Sequence, residues 1–316
     1  MGLMVSGAAG GGSAISGTAG GAGILGAVGA GPKASTALAL ATLARIRRES
    51  PAAFTGVTQS QVTPCTTGDI TISATVADGT GATTSVGDGY QISFNNCTDS
   101  LGGRMTGTLG FTITATDGAL FMDSPPVMNA GTTYSMAITY GAFAMVDSMG
   151  SFTGIDGNMT VSMLYASGTG WRTETITGSS IVFAAGSNGN ITSSFEMAGP
   201  TAGGQYSILG GEHYPSGLTS FPDAQASGFT ARLCSTEMAG CLKVVTNPAL
   251  EVWDPDLYPS KGTMTFTDDA GRYITLTATN GVTGAVTVTY NIGAGVVGPK
   301  ATTWSCLDQA DSSACF

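Results

Sequence analysis

Six cysteines, a single histidine and a sparse set of carboxylates are the side chains through which this chain could do chemistry. The cysteines fall as sequence neighbours: Cys65 with Cys97, Cys234 with Cys241, and Cys306 with Cys315. Zinc and thiol redox sites use paired Cys-x-x-Cys spacing, which none of these shows. Structural disulfides between nearest neighbours are the expected chemistry, although six thiols admit other connectivities. Such bonds persist outside the reducing cytosol.

His213, beside Glu212, is the one imidazole available for proton transfer near neutral pH. Its Gly-Glu-His-Tyr-Pro setting reads as a surface or loop residue, no Gly-x-Ser-x-Gly elbow occurs, and one histidine is too few for a metallohydrolase. The densest acids are Glu237, Glu251, Asp254 and Asp256, close to Trp253 and Tyr258. Glycosidic chemistry would need two of them roughly 5 to 10 Å apart in a cleft, and solvated loop acids are the commoner outcome. The segment Gly21–Gly26 matches GxGxxG without the preceding strand or the following acid that make that pattern bind a dinucleotide, and Pro32 and Ala34 spoil a P-loop at Gly26–Lys33. The expectation is a non-catalytic chain with no cofactor or metal. Trp171, Trp253, Tyr258 and Trp304 are the candidate stacking surfaces for a glycan or apolar ligand.

Charge narrows the partners. The net charge is -10 and only 10% of residues are charged, so counterion release on nucleic acid is excluded as a driving force. Asp-Gly pairs at 78–79, 88–89, 117–118 and 156–157 read as tight turns.

The elements that must position these groups follow from period. Residues 1–32 form a Gly/Ala-rich low-complexity segment, and residues 33–53 read as a short amphipathic helix with Leu38, Leu40, Leu43 and Ile46 among alanines. From residue 54 to 316 the period is 2: Ile70, Ile72 and Ala74, then Leu109, Phe111 and Ile113, Tyr134, Met136, Ile138 and Tyr140, Met159, Val161 and Met163, and later Ile274, Leu276 and Ala278 with Val286, Val288 and Tyr290. Gly, Asn, Asp and Ser clusters interrupt these runs at hairpin intervals, with no helical crossover between them. The predicted fold is all-β, an antiparallel meander forming a curled sheet, sandwich or barrel-like body stapled by disulfides, with a sub-boundary near 198–226. Met136, Met145, Met149, Met159 and Met163 read as adaptable core rather than a Cu(I) site. The terminal Phe316 invites an outer-membrane barrel, but Asp308, Asp311, Ser312 and Ser313 do not alternate as a membrane strand must.

Cys65 and Gly68, Gly87 and Asp88, Phe94 and Cys97, and the run Tyr258-Pro259-Ser260-Lys261-Gly262 before two Thr-rich strands and Trp304, together resemble uncharacterised, often lipid-anchored envelope proteins of proteobacteria. The resemblance implies a location, the envelope or exterior of a Gram-negative bacterium, and no chemistry. A lipobox cysteine near the start is missing from the pattern, and the expected export signal is not seen in the sequence. The expected role is a structural or interaction protein, self-assembling into a filament or surface layer through residues 1–32. The alternatives are a glycan- or ligand-binding module, then a secreted glycan-active enzyme. The partner would be itself or such a ligand, with peripheral membrane association open.

Overall fold

The computed structural model describes residues 58–75, 77, 85–98, 102–116, 133–166, 168–187, 190–216, 221–238, 240–308 and 315. The Gly/Ala-rich segment and the helix expected at 33–53 lie outside them. The described residues are all-β, with seventeen antiparallel strands and a single helical turn. They divide into two compact units: the described residues within 58–164 and 178–196 form an N-terminal unit, and those within 165–177 and 197–315 a C-terminal unit.

The N-terminal unit is a next-neighbour meander. Strand β1 (Thr58–Pro64) pairs with β2 (Thr67–Thr75), which pairs with β3 (Gly89–Thr98), and so on through β4 (Arg104–Ala115), β5 (Thr133–Val146) and β6 (Ser151–Ala166). After β7 (Trp171–Gly178), strand β8 (Ser180–Ser187) returns to β6, and β9 (Asn190–Ala198) follows. Period-2 alternation sends Tyr90, Leu109, Phe111, Ile113, Tyr134, Met136, Ile138, Tyr140, Met159 and Val161 to one buried face. Burial, and then the neighbouring Tyr140, push the Tyr90 phenol well above its ordinary value. Met145 and Met149 depart from the core expected of the methionines: the first lies near the end of β5 and the second in the β5–β6 turn, and both are exposed.

Two bulges set the local geometry. Between Tyr140 and Phe143 strand β5 holds one residue more than its partners, with Ala142 at φ 44°. Its freed amide donates to Asp156 Oδ1 at 2.8 Å, and a Cβ on the facing Gly107 (φ 90°) would collide with the Ala142 carbonyl. Asp156–Gly157 therefore lies inside β6, where it accommodates a bulge, and is not the turn its sequence predicts. A second bulge between Phe94 and Cys97 brings Cys97 onto the same face as Phe94, where it is buried and bonded to Cys65 with a Cα–Cα distance of 5.4 Å.

In the C-terminal unit β10 (Tyr206–His213) pairs with β11 (Ala224–Ser235). Strands β12 (Cys241–Thr246) and β13 (Leu250–Trp253) both pair with β11, the first at residues 230–234 and the second at 224–227, so they act as one strand interrupted by a bulge at residues 247–249. The ladder continues through β14 (Thr263–Asp268), β15 (Tyr273–Asn280), β16 (Ala285–Asn291) and β17 (Val296–Thr303) to the turn α1 (Trp304–Leu307), capped by Thr303 Oγ1 accepting from the Cys306 amide. Ala231, Leu233, Val244, Leu250, Met264, Phe266, Leu276 and Val288 form the buried face. The opposite face is hydroxylated: Thr265 and Thr275 meet at 3.0 Å and Thr263 and Thr277 at 3.3 Å across β14–β15, pairs that stabilise a sheet by roughly 0.2 to 1 kcal/mol each.

The cysteines pair as nearest neighbours. Cys234 and Cys241 stand directly opposite at the end of the β11–β12 hairpin, 4.4 Å apart at Cα, and Cys306 joins Cys315 at 5.9 Å. Three cross-links of this kind point to an oxidising, non-cytoplasmic compartment. No helix among the described residues is long and apolar enough to cross a membrane.

Candidate functional site

The hydroxylated face of the C-terminal unit carries one aromatic cluster, built on a floor of small residues. Along β11, Ala224, Ala226 and Gly228 share this face, and their cross-strand partners on β10 are His213, Gly211 and Leu209. On the other side of β11, Trp253 faces Ala224 and Glu251 faces Ala226. The small side chains leave room for large rings above them. Trp171, at the start of β7, lies over Gly211, where a Cβ would sit 3.3 Å from the indole and 3.2 Å from the Ala226 methyl.

Three rings meet there. His213 lies 5.3 Å from Trp171 and 5.2 Å from Trp253, and the two indoles stand 6.1 Å apart at 89°. Contacts of this kind contribute about 0.5 to 1.5 kcal/mol each beyond area burial. Carboxylates hold the cluster in orientation. His213 Nδ1 is hydrogen-bonded to Asp223 Oδ1 at 2.5 Å, and the Asp223 amide donates to the His213 carbonyl. Trp253 Nε1 donates to Glu251 Oε2 at 2.9 Å. Lys261 reaches the same oxygen at 3.3 Å while its ammonium sits 5.4 Å above the Trp253 ring. The cluster is open to solvent in part: the side chains of His213, Asp223, Glu251 and Lys261 are 18, 38, 28 and 65% exposed.

A second polar group lies at the same end of β10. Tyr214 donates to Glu212 Oε2 at 2.7 Å, and Arg172 approaches that oxygen at 3.6 Å. Burial first, and then the Glu212 bond, raise the Tyr214 phenol above its ordinary value, with Arg172 opposing.

Of the four aromatic residues singled out in the sequence, the fold brings Trp171 and Trp253 together. Tyr258 packs instead against the β15–β16 turn, where its ring occupies the space a Cβ on Gly284 would need. Trp304 is 3% exposed in α1 and presents no face to a ligand, and its Nε1 has no hydrogen-bond partner among the described residues. The acids divide between the two ends of β11. Glu251 joins the cluster, Asp254 and Asp256 lie in the turn after Trp253, and Glu237 belongs to the hairpin turn at the far end of β11, about 30 Å away along the strand. His213, expected in a surface loop, is instead the last residue of β10, opposite Ala224 and mostly covered. The signal available was the alternation of small residues at Ala224, Ala226 and Gly228, which marks a strand face that large neighbours can cover.

The dyad of His213 and Asp223 fixes one imidazole nitrogen, and the other points toward Gly170, where a Cβ would come within 3.0 Å of it. Among the described residues no group of three or more metal-ligating side chains converges. A groove of about 270 Å³ crosses the polar face of the N-terminal unit, lined by Ser73, Gln91, Thr112 and Thr139 over Gly89 and Gly110. Its glycines answer to packing, since a Cβ on either would collide with the Phe111 carbonyl or the Thr139 hydroxyl.

No family model, no curated protein and no solved structure matches this chain.

Proposed function

We propose that this chain is a non-catalytic binding module of the envelope or exterior of a Gram-negative bacterium, and that it binds through the aromatic cluster of Trp171, His213 and Trp253. The observation that carries the reading is the placement of two of the three tryptophans and the only histidine together on a polar, outward sheet face. Large rings normally go to the buried face of a sheet, and rings held half-exposed by carboxylates serve recognition better than stability. The cross-links support an exported location, and the Cys65–Cys97 and Tyr258–Gly262 motifs support the envelope. The filament-building role expected of residues 1–32 lies outside the described residues and draws no support from the sheet units.

Retention on immobilised oligosaccharides, and on trimethylammonium agarose in salt high enough to suppress ion exchange by the acidic chain, tests the reading. Wild-type protein is expected to be retained on at least one matrix, and Trp253→Ala to lose retention by roughly tenfold, the worth of one aromatic contact. Equal behaviour of the two proteins on every matrix would overturn it.

A further inference from the structure

We propose that the aromatic corner takes an organic ammonium ion, with Glu251 and Asp223 as its counter-charges, and that Lys261 holds the position until the ligand displaces it. The proposal rests on the binding-module reading and names its ligand class.

Ring geometry favours a cation over a sugar. A pyranose stacks flat, and a platform for it presents coplanar rings. Here the two indoles are perpendicular and His213 is tilted by 60° and 47° to them. The three rings touch one another, so a ligand sits on the outside of the corner, over a ring face and beside a ring edge. A compact, round cation meets both: the indole face carries the negative part of the ring quadrupole, and a positive charge within about 6 Å of the centroid is attracted to it.

Charge points the same way. Two carboxylates border the corner, each already bonded to one of its rings, and each exposed enough to meet a ligand. The chain as a whole carries -10, which steers cations toward it.

The structure also contains an ammonium in this position. Lys261 Nζ lies 5.4 Å over Trp253 and 3.3 Å from Glu251, at the end of a side chain that is 65% exposed. An exposed pair of this kind is weak, worth at most about 1 kcal/mol, so a free ammonium of better shape can replace it. A methylated ammonium is the better fit, because it brings apolar surface to the rings and loses less hydration than the lysine head.

The trimethylammonium group is shared by free choline and by phosphatidylcholine headgroups, and one set of titrations separates them. Intrinsic fluorescence suits the test: of three tryptophans, two are in the corner and Trp304 is buried. Choline chloride added to the full chain is expected to change the emission saturably in the roughly millimolar range, where equal sodium chloride does not. Lys261→Gln, at an exposed position, is expected to tighten choline binding roughly three- to tenfold, and Glu251→Gln to weaken it by a similar factor. Sedimentation with phosphatidylcholine but not phosphatidylglycerol vesicles, reversed by choline, assigns a membrane source, and choline binding without sedimentation assigns a soluble one. Weaker choline binding by Lys261→Gln overturns the displacement. If a neutral cello-oligosaccharide saturates the site and choline does not, the ammonium proposal falls while the binding module stands. If neither titrates wild type nor Lys261→Gln, both fall.

Discussion

On the polar face of the N-terminal unit the rows across the sheet read Ser60, Ser73, Gln91, Gly110 and Thr139, while the matching face of the C-terminal unit carries Trp171, His213, Trp253, Glu251 and Lys261. The backbone chemistry is the same in both: antiparallel ladders, one apolar face, one hydroxylated face. Charge is not. Among the described residues the N-terminal unit holds Arg104 as its one basic residue, and the five ion pairs found among them all belong to the C-terminal unit. The rows named on the N-terminal face carry small hydroxyls and amides, with no ring and no ion pair among them. Rings and charged side chains gather where the strand beneath is paved with Ala and Gly and can carry something large.

The comparison is sharpened first by the cross-links. Loop-closure entropy scales with the length closed, and Cys65–Cys97 spans 32 residues against 7 for Cys234–Cys241. Serine replacement of the first pair is expected to cost about 4 kcal/mol and of the second about 2 kcal/mol, read from urea denaturation. Equal losses would mean that the two units do not differ in this way.

Next come the glycines. Gly107→Ala forces a side chain into a left-handed conformation against the Ala142 carbonyl and is expected to destabilise the N-terminal unit by about 2 to 4 kcal/mol, leaving ligand retention intact in the folded fraction. Gly211→Ala meets only the movable Trp171 ring and the Ala226 methyl, so it is expected to cost under about 1 kcal/mol while weakening retention. Thermal melts paired with retention assays check both, and the reverse ranking would break the contrast between a structural and a functional glycine.

The smallest effect is acid sensitivity at the hairpin ends of the C-terminal unit. The Cys241 amide first, and then Arg232, hold the Asp269 carboxyl below its ordinary value. At Asp268, desolvation opposes but the Arg272 backbone and side chain prevail, again downward. A depressed carboxyl contributes stability that is present above the unfolded value, about 3.9, and disappears as pH falls through the lower folded value. Amide exchange at Cys241, Ala270 and Arg272 should therefore accelerate below about pH 4, once corrected for the intrinsic rate. An unchanged protection factor in that range would remove these carboxylates from the account.

Strand identity was legible because the two-residue period is written directly into the chain: the Tyr134 to Tyr140 and Ile274 to Ala278 runs place their apolar members on buried faces. The disulfides were legible because each cysteine has a partner one hairpin or one loop away. The bulges were not. Asp156–Gly157 has turn composition, yet lies in a strand because its carboxylate answers the unpaired Ala142 amide on the next strand. The site was half visible, in Trp171 and Trp253, and its centre was hidden in the Gly-Glu-His-Tyr-Pro segment.

Composition and period by themselves determined an antiparallel β protein with an oily face, a hydroxylated face and cross-linked ends, since each of these depends on residues close in sequence. Tertiary structure alone decided which rings meet. His213, Ala224 and Trp253 share a row because of the registers of β10, β11 and β13, and Trp171 joins them from a position 42 residues upstream of His213. Register over such separations depends on bulges and on the pairing of whole strands, so no local pattern announces it.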